Sequence, residues 1–226
     1  SSRVALVGGG TIPKPGEVTL AHRGVLFLDE FTEFERSTIE TLRQPLEDGI
    51  ITIGRVNRTI SYPAKFMLIA AMNPCRCGYR GDPDRECSCS PNEIANYQRK
   101  ISGPVLDRID LQLNVYRVKV ENLKKQEAES SESVKRRVEE AKKIQLERYR
   151  EISGVFTNSE MSQRDVRRTI SLSSKSLSLL KNAAEKLNLS ARSYFRILKV
   201  SRTIADLEKS TSVKSDHIAE ALSFRF

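Results

Sequence analysis

Turn-forming residues all but stop near the middle of this 226-residue chain. All eight prolines lie at or before Pro104, and ten of the eleven glycines lie at or before Gly103, with Gly154 alone falling later. Glycine supplies positive φ and proline ends helices, so a strand-and-loop region is expected first and a nearly uninterrupted helical region after it. The polar, charged stretch from Lys119 to Ser133 puts the boundary near residues 118–132 and divides the chain into parts at 1–120 and 121–226. Charge divides as well. Of the net +9, residues 1–120 carry 16 Lys/Arg against 14 Asp/Glu, and residues 121–226 carry 22 against 15. That excess favours anionic partners, nucleic acid among them, although a well-solvated helical surface accounts for it equally well. No run approaches the roughly 20 apolar residues of a membrane span, and no charged-then-apolar leader is present. A soluble, cytoplasmic protein is the expectation.

In the first part, Gly24-Val25-Leu26-Phe27-Leu28 is a continuous apolar run ending at Asp29-Glu30, which reads as a strand buried on both faces of a parallel sheet. Ile39, Leu42 and Leu46 recur at helical spacing, Gly49 supplies a stop, and Pro45 predicts a kink. Residues 50–53 and 59–62 flank Gly54-Arg55-Val56-Asn57-Arg58, a hairpin signal. Residues 66–71 form a second buried-strand candidate, closing on Met72-Asn73-Pro74, and Leu111 to Val115 a third. The second part reads as a helical bundle. One long helix carries Val134, Val138, Ala141 and Gln145, and others run near 162–170, 174–187, 190–209 and 215–223, with Ser190 and Ser215 as N-caps. His22 and His217 have no catalytic partner in sequence and read as structural.

An apolar strand ending in two carboxylates is what a nucleotide-hydrolysing site requires. Asp29 can hold the hydrated magnesium bridging the β- and γ-phosphates, and Glu30 can orient or deprotonate the incoming water. Such acidic pairs also cap helices. About 40 residues on, Asn73 stands where a neighbouring parallel strand would end, placed to hydrogen-bond that water or simply to begin the Asn-Pro turn. In Leu106-Asp107-Arg108-Ile109-Asp110, Arg108 can neutralise the γ-phosphate of a neighbouring subunit or pair locally with Asp107 or Asp110.

The four cysteines lie within residues 75–89 as Cys75-x-Cys77, nine residues, Cys87-x-Cys89. Four thiolates on a turn-rich loop can close a tetrahedral zinc site in place of a core; free thiols and a local disulfide are the alternatives. Arg55, Asn57 and Arg58 at the hairpin tip suit contact with a DNA backbone, and equally an ordinary exposed turn.

Taken in order, Gly-Val-Leu-Phe-Leu-Asp-Glu (24–30), Ala-Ala-Met-Asn-Pro (70–74) and Leu-Asp-Arg-Ile-Asp-Leu (106–111) resemble AAA+ ATPases of the magnesium-chelatase-like group. Leu6-Val7-Gly8-Gly9-Gly10, Pro13-Lys14-Pro15-Gly16-Glu17, Gln44-Pro45-Leu46-Glu47-Asp48-Gly49 and Asn73-Pro74-Cys75-Arg76-Cys77-Gly78-Tyr79 resemble the ComM/YifB branch. The likeness continues through Ser102-Gly103-Pro104 and Ser190-Ala191-Arg192-Ser193-Tyr194-Phe195. The resemblance implies a partial AAA+ P-loop α/β core with a hairpin insertion, followed by an all-helical lid. It implies Asp29 and Glu30 as the Walker B pair, Asn73 as sensor 1, Arg108 as an arginine finger and Arg192 as the lid's sensor 2. ATP with Mg2+ would be the cofactor, DNA (single-stranded or branched) the partner, and a hexamer the assembly. Residues 1–23 resemble the tail of the helix-2 insertion, and the hairpin around Arg55 and Arg58 the one that projects into the ring channel. ComM-type members drive DNA branch migration during natural transformation.

One departure stands out. No Gly-x-x-x-x-Gly-Lys-[Ser/Thr] occurs anywhere in the chain, so nothing in it cradles the α- and β-phosphates. The resemblance then implies the C-terminal piece of a longer protein, with Walker A and a Lon-like domain upstream, and a piece inactive by itself. A magnesium-chelatase-type motor and a non-catalytic basic DNA-binding scaffold remain the competing readings.

Overall fold

The computed structural model describes residues 3–10, 14–55, 58–115 and 129–225. The chain forms two compact units, one running to Ile109 and the other from Asp110 onward.

The first unit opens with helix α1 (Arg3–Val7), a two-residue ladder of β1 (Gly8–Gly9) with β2 (Lys14–Pro15), and helix α2 (Glu17–Leu20). Strand β3 (Val25–Leu28) then leads through a 3-10 turn (Phe31–Glu33) into α3 (Arg36–Glu40) and α4 (Arg43–Asp48). The expected single kinked helix is broken at Thr41-Leu42. Proline cannot donate to the carbonyl four residues back and its ring collides with it, and for Pro45 that carbonyl belongs to Thr41. In the first turn of α4 the missing N–H costs nothing. Gly49 closes α4 at φ 66°, with its N–H donated to Pro45 O at 3.0 Å.

β4 (Ile50–Arg55) and β5 (Arg58–Pro63) make the hairpin in antiparallel register from Ile50 opposite Pro63 to Arg55 opposite Arg58. Asn57 lies outside the described residues. Strand β6 (Met67–Ala70) returns beside β3 in parallel register, Val25 with Met67 through Leu28 with Ala70. Between them Leu26 and Leu28 join a core with Val18, Phe31, Ile39, Leu42 and Val105. The other face departs from expectation. Phe27 is 58% exposed and Met67 62%, with Val25 and Ile69 beside them, so β3 is buried on one face. Alternation along a strand sends Val25 and Phe27 opposite to Leu26 and Leu28, and no described layer covers that side.

A loop then reaches α5 (Pro91–Gln98), opened by a reciprocal cap. Ser90 Oγ accepts the Glu93 N–H at 3.3 Å and the Glu93 carboxylate accepts the Ser90 N–H at 2.8 Å. The short α6 (Gly103–Leu106) follows.

In the second unit, residues 111–115 form no strand. Gln112 N–H bonds Phe224 O at 2.9 Å, but no described strand offers a ladder and the three apolar side chains stay exposed. Helices α7 (Ser131–Arg148), α8 (Gln163–Thr169), α9 (Ser174–Lys186), α10 (Ala191–Leu207) and α11 (Ser215–Ser223) make up the bundle. Ser130, Ser162, Ser173 and Ser190 cap the first four through their hydroxyls. Ser215 is instead the first residue of α11; Lys214 occupies the cap and gives its N–H to His217 Nδ1 at 3.0 Å. On α7 only Ala141 and Gln145 are buried, and Val134 and Val138 remain exposed. The core gathers Tyr149, Val166, Leu180, Ile197, Ala205 and Ile218.

Beside that core lies a closed polar network. Asp206, 1% exposed, receives both Arg148 guanidinium nitrogens, Arg202 Nε at 3.2 Å and Asn158 Nδ2 at 2.8 Å. Asn158 Oδ1 in turn accepts the Tyr149 hydroxyl at 2.6 Å. The hydrogen bonds that Arg148 donates to Asp206 raise its pKa above the ordinary value, while burial lowers that of Arg202. No described helix is long and apolar enough to cross a membrane.

Candidate functional site

The parallel pairing of β3 with β6 sets the site. Ala71 N–H bonds Leu28 O and Phe31 N–H bonds Ala71 O, both at 2.9 Å, so the two chains leave the sheet at the same C-terminal edge. Asp29 and Glu30 emerge from one strand there, and Asn73 three residues beyond the other, all three exposed. Open α/β sheets bind ligands at this edge. Glu30 sits in the left-handed region at φ 49°, ψ 45°, a conformation rare for a residue with a side chain, and its N–H donates to Asp29 Oδ1 at 2.8 Å. This turn separates the two carboxylates and starts the 3-10 segment, which Thr32 anchors by a 2.5 Å hydrogen bond to Tyr97 OH.

Arg108 is held inside its own unit. Its Nε lies 2.9 Å from Glu47 Oε2, its Nη1 donates to Pro104 O at 2.6 Å, and its side chain is 9% exposed. An acidic partner for Arg108 therefore comes from α4. Asp110 pairs with Arg196, one turn beyond Arg192 on α10, and Arg192 is half-buried. Sequence reasoning passed over Glu47 and Arg196, because an ion pair between residues 61 or 86 positions apart leaves no periodic trace. Arg192 belongs to the second unit, and Asp29, Glu30, Asn73 and Arg108 to the first.

The residues present fit part of a magnesium–nucleotide site. Two carboxylates and an amide at one strand edge suit a metal and a water. The phosphate-cradling loop is not among these 226 residues.

The cysteine loop shows a second constellation. The four sulfurs of Cys75, Cys77, Cys87 and Cys89 all lie within 4.8 Å of one another and could hold a metal ion. Cys75 Sγ is 3.4 Å from Cys77 Sγ and 3.6 Å from Cys87 Sγ, and Cys77 and Cys87 are 3.5 Å apart. The Tyr79 backbone, and behind it the Cys75 sulfur and the Ser88 backbone, favour the Cys77 thiolate and lower its pKa to about 5. The Cys89 amide pulls Cys87 down, but desolvation and the adjoining Cys77 and Cys75 sulfurs outweigh it and push that thiol up to about 12.

Comparison with known proteins places the chain. Residues 1–123 match the family model for magnesium chelatase, subunit ChlI, and residues 128–225 match the model for the ChlI C-terminal region. Competence protein ComM of Haemophilus influenzae is 46% identical across the whole chain, which covers 43% of that relative. The uncharacterized protein YifB of Escherichia coli is 42% identical, again over the whole chain and 44% of the relative. The chloroplastic magnesium-chelatase subunit ChlI of rice matches only 70 residues, 31% of the chain and 17% of the relative, at 34% identity. The chain belongs to the magnesium-chelatase-like family of AAA+ ATPases, in its ComM/YifB branch. It spans less than half the length of these relatives.

Proposed function

We propose that this chain supplies the water-positioning part and the helical lid of an ATP-driven DNA motor of the ComM type, a hexameric cytoplasmic branch-migration helicase. The observation that carries the reading is the shared exit of Asp29-Glu30 and Asn73 from adjacent parallel strands. Similarity to part of ComM along the whole of this chain, against a 70-residue match to ChlI, favours the DNA motor over the chelatase motor.

In this reading residues 1–120 are the C-terminal part of the ATPase core and 121–226 the lid. Magnesium-bound ATP, when present, supplies an electrophilic γ-phosphorus. Asp29 holds the metal, Glu30 orients the attacking water and takes its proton, and Asn73 fixes that water through its amide. Arg192 on the lid neutralises phosphate charge. Arg108 does so across a subunit boundary, for which it must exchange Glu47 for the phosphate. Arg55, Asn57 and Arg58 at the hairpin tip contact the DNA backbone. The 226-residue chain alone hydrolyses ATP negligibly, because it carries no phosphate loop.

The test is ATP hydrolysis by the protein at the full length of its relatives, with and without branched DNA. Stimulation by DNA, lost when Arg55 and Arg58 are both changed to Glu, is the expected result. Hydrolysis indifferent to DNA in the unaltered protein would refute the motor.

A further inference from the structure

Residues 74–90 connect β6 to α5 without a helix or strand, and they contribute one apolar side chain to the interior, Cys75. Something other than a hydrophobic core must hold this loop in shape. A few polar links help at its margins. Gln98 Nε2 reaches Pro74 O at 3.5 Å, and Arg85 stacks on Tyr79 while donating to its hydroxyl at 2.7 Å. Of these, only the exposed Arg85–Tyr79 contact joins its two halves, near the loop's tip. The sulfurs join them too, since Cys75 and Cys77 come from one end of the loop and Cys87 and Cys89 from the other.

Their spacing discriminates among the three states open to four cysteines. A disulfide needs sulfurs about 2.05 Å apart, and separations of 3.4, 3.5 and 3.6 Å are far beyond it. Unrelated reduced thiols have no cause to bring four sulfurs mutually within 4.8 Å. A metal tetrahedron does, because metal–sulfur bonds of about 2.3 Å put the sulfurs about 3.8 Å from each other.

We infer that Cys75, Cys77, Cys87 and Cys89 form a structural tetrathiolate zinc site that clamps the loop between Asn73 and α5. Zinc suits it because a filled d shell accepts the tetrahedron and brings no redox chemistry, and four protein ligands leave no open position. The double negative charge of such a centre is offset by Arg76, Arg80 and Arg85 in the same loop. The clamp borders the proposed site, since Asn73 Oδ1 lies 4.0 Å from where a Gly78 Cβ would stand. Zinc binding itself stands independently of the ATPase reading.

The test is metal analysis of the 226-residue chain purified without chelators. One zinc per chain is expected, released in step with mercurial titration of four thiols. Cys87→Ser should drop the zinc content from one per chain to about zero, while Ser88→Ala keeps it. If the cysteine variant does not fold, cobalt exchange into the unaltered protein still decides, giving the visible absorption of tetrahedral cobalt thiolate. Metal-free protein with four freely reactive thiols, a disulfide detected by mass, or iron in place of zinc would each overturn the assignment. ATPase failure with zinc present would instead count against the motor and leave the clamp intact.

Discussion

The two units bury their apolar residues by different means. In the helical unit, Tyr149, Leu180, Ile197 and Ile218 come from a terminus and three helices and close on one another. In the α/β unit, β3 and β6 put Leu26 and Leu28 into a core while Val25, Phe27, Met67 and Ile69 face outward together. A helix has one apolar stripe to hide, and a few helices hide each other's. A central parallel strand has two apolar faces and needs a layer on each. The helical unit can therefore afford a buried ionic network, whereas the sheet unit holds its shape with turns, caps and the cysteine loop.

The largest test of this contrast is Asp206→Ala. Removing the carboxylate leaves Arg148 and Arg202 without its counter-charge beside the core, Arg202 still donating to the Ser210 and Thr211 carbonyls, at a cost of about 3–5 kcal/mol in urea unfolding of the helical unit. A loss below about 1 kcal/mol would mean that solvent reaches the network and that the unit is less closed than described. Next in size is Ser90→Ala in the sheet unit, costing about 1 kcal/mol through the lost cap of α5. Its partner Glu93 adds a pH signature. Hydrogen bonds from the Ser90 backbone and hydroxyl lower its pKa from 4.5, so its contribution is complete above that value and fades as pH falls through the depressed one. Protection of the α5 amides against hydrogen exchange should decline over that acid range and stay constant above it. The smallest effect is expected from Phe27→Thr on the open face of β3, a change within about 0.5 kcal/mol accompanied by weaker binding of a hydrophobic dye. A penalty of several kcal/mol would show that this face is covered after all.

Much of the architecture was legible because it is local. Glycine and proline punctuation separated the sheet region from the helices, and the apolar runs at 25–28 and 67–70 are the paired strands. Cys-x-Cys repeated after nine residues pointed to the sulfur cluster. What escaped depends on distant partners. Residues 111–115 have a strand's composition, but strands exist only where a ladder is offered. Arg202 and Asp206 show helical spacing, yet nothing marks Arg148, 58 residues away, as the third member. Likewise nothing in the sequence marks Glu47, 61 positions before Arg108, as the carboxylate that the fold of α4 brings to it.

The account rests on Glu30 acting upon a water at the edge shared by β3 and β6. The direct measurement is single-turnover ATP hydrolysis by the full-length protein carrying Glu30→Gln, with nucleotide binding measured in parallel. Retained ATP binding with hydrolysis slowed roughly 100-fold or more is the predicted result. Unchanged hydrolysis would contradict it.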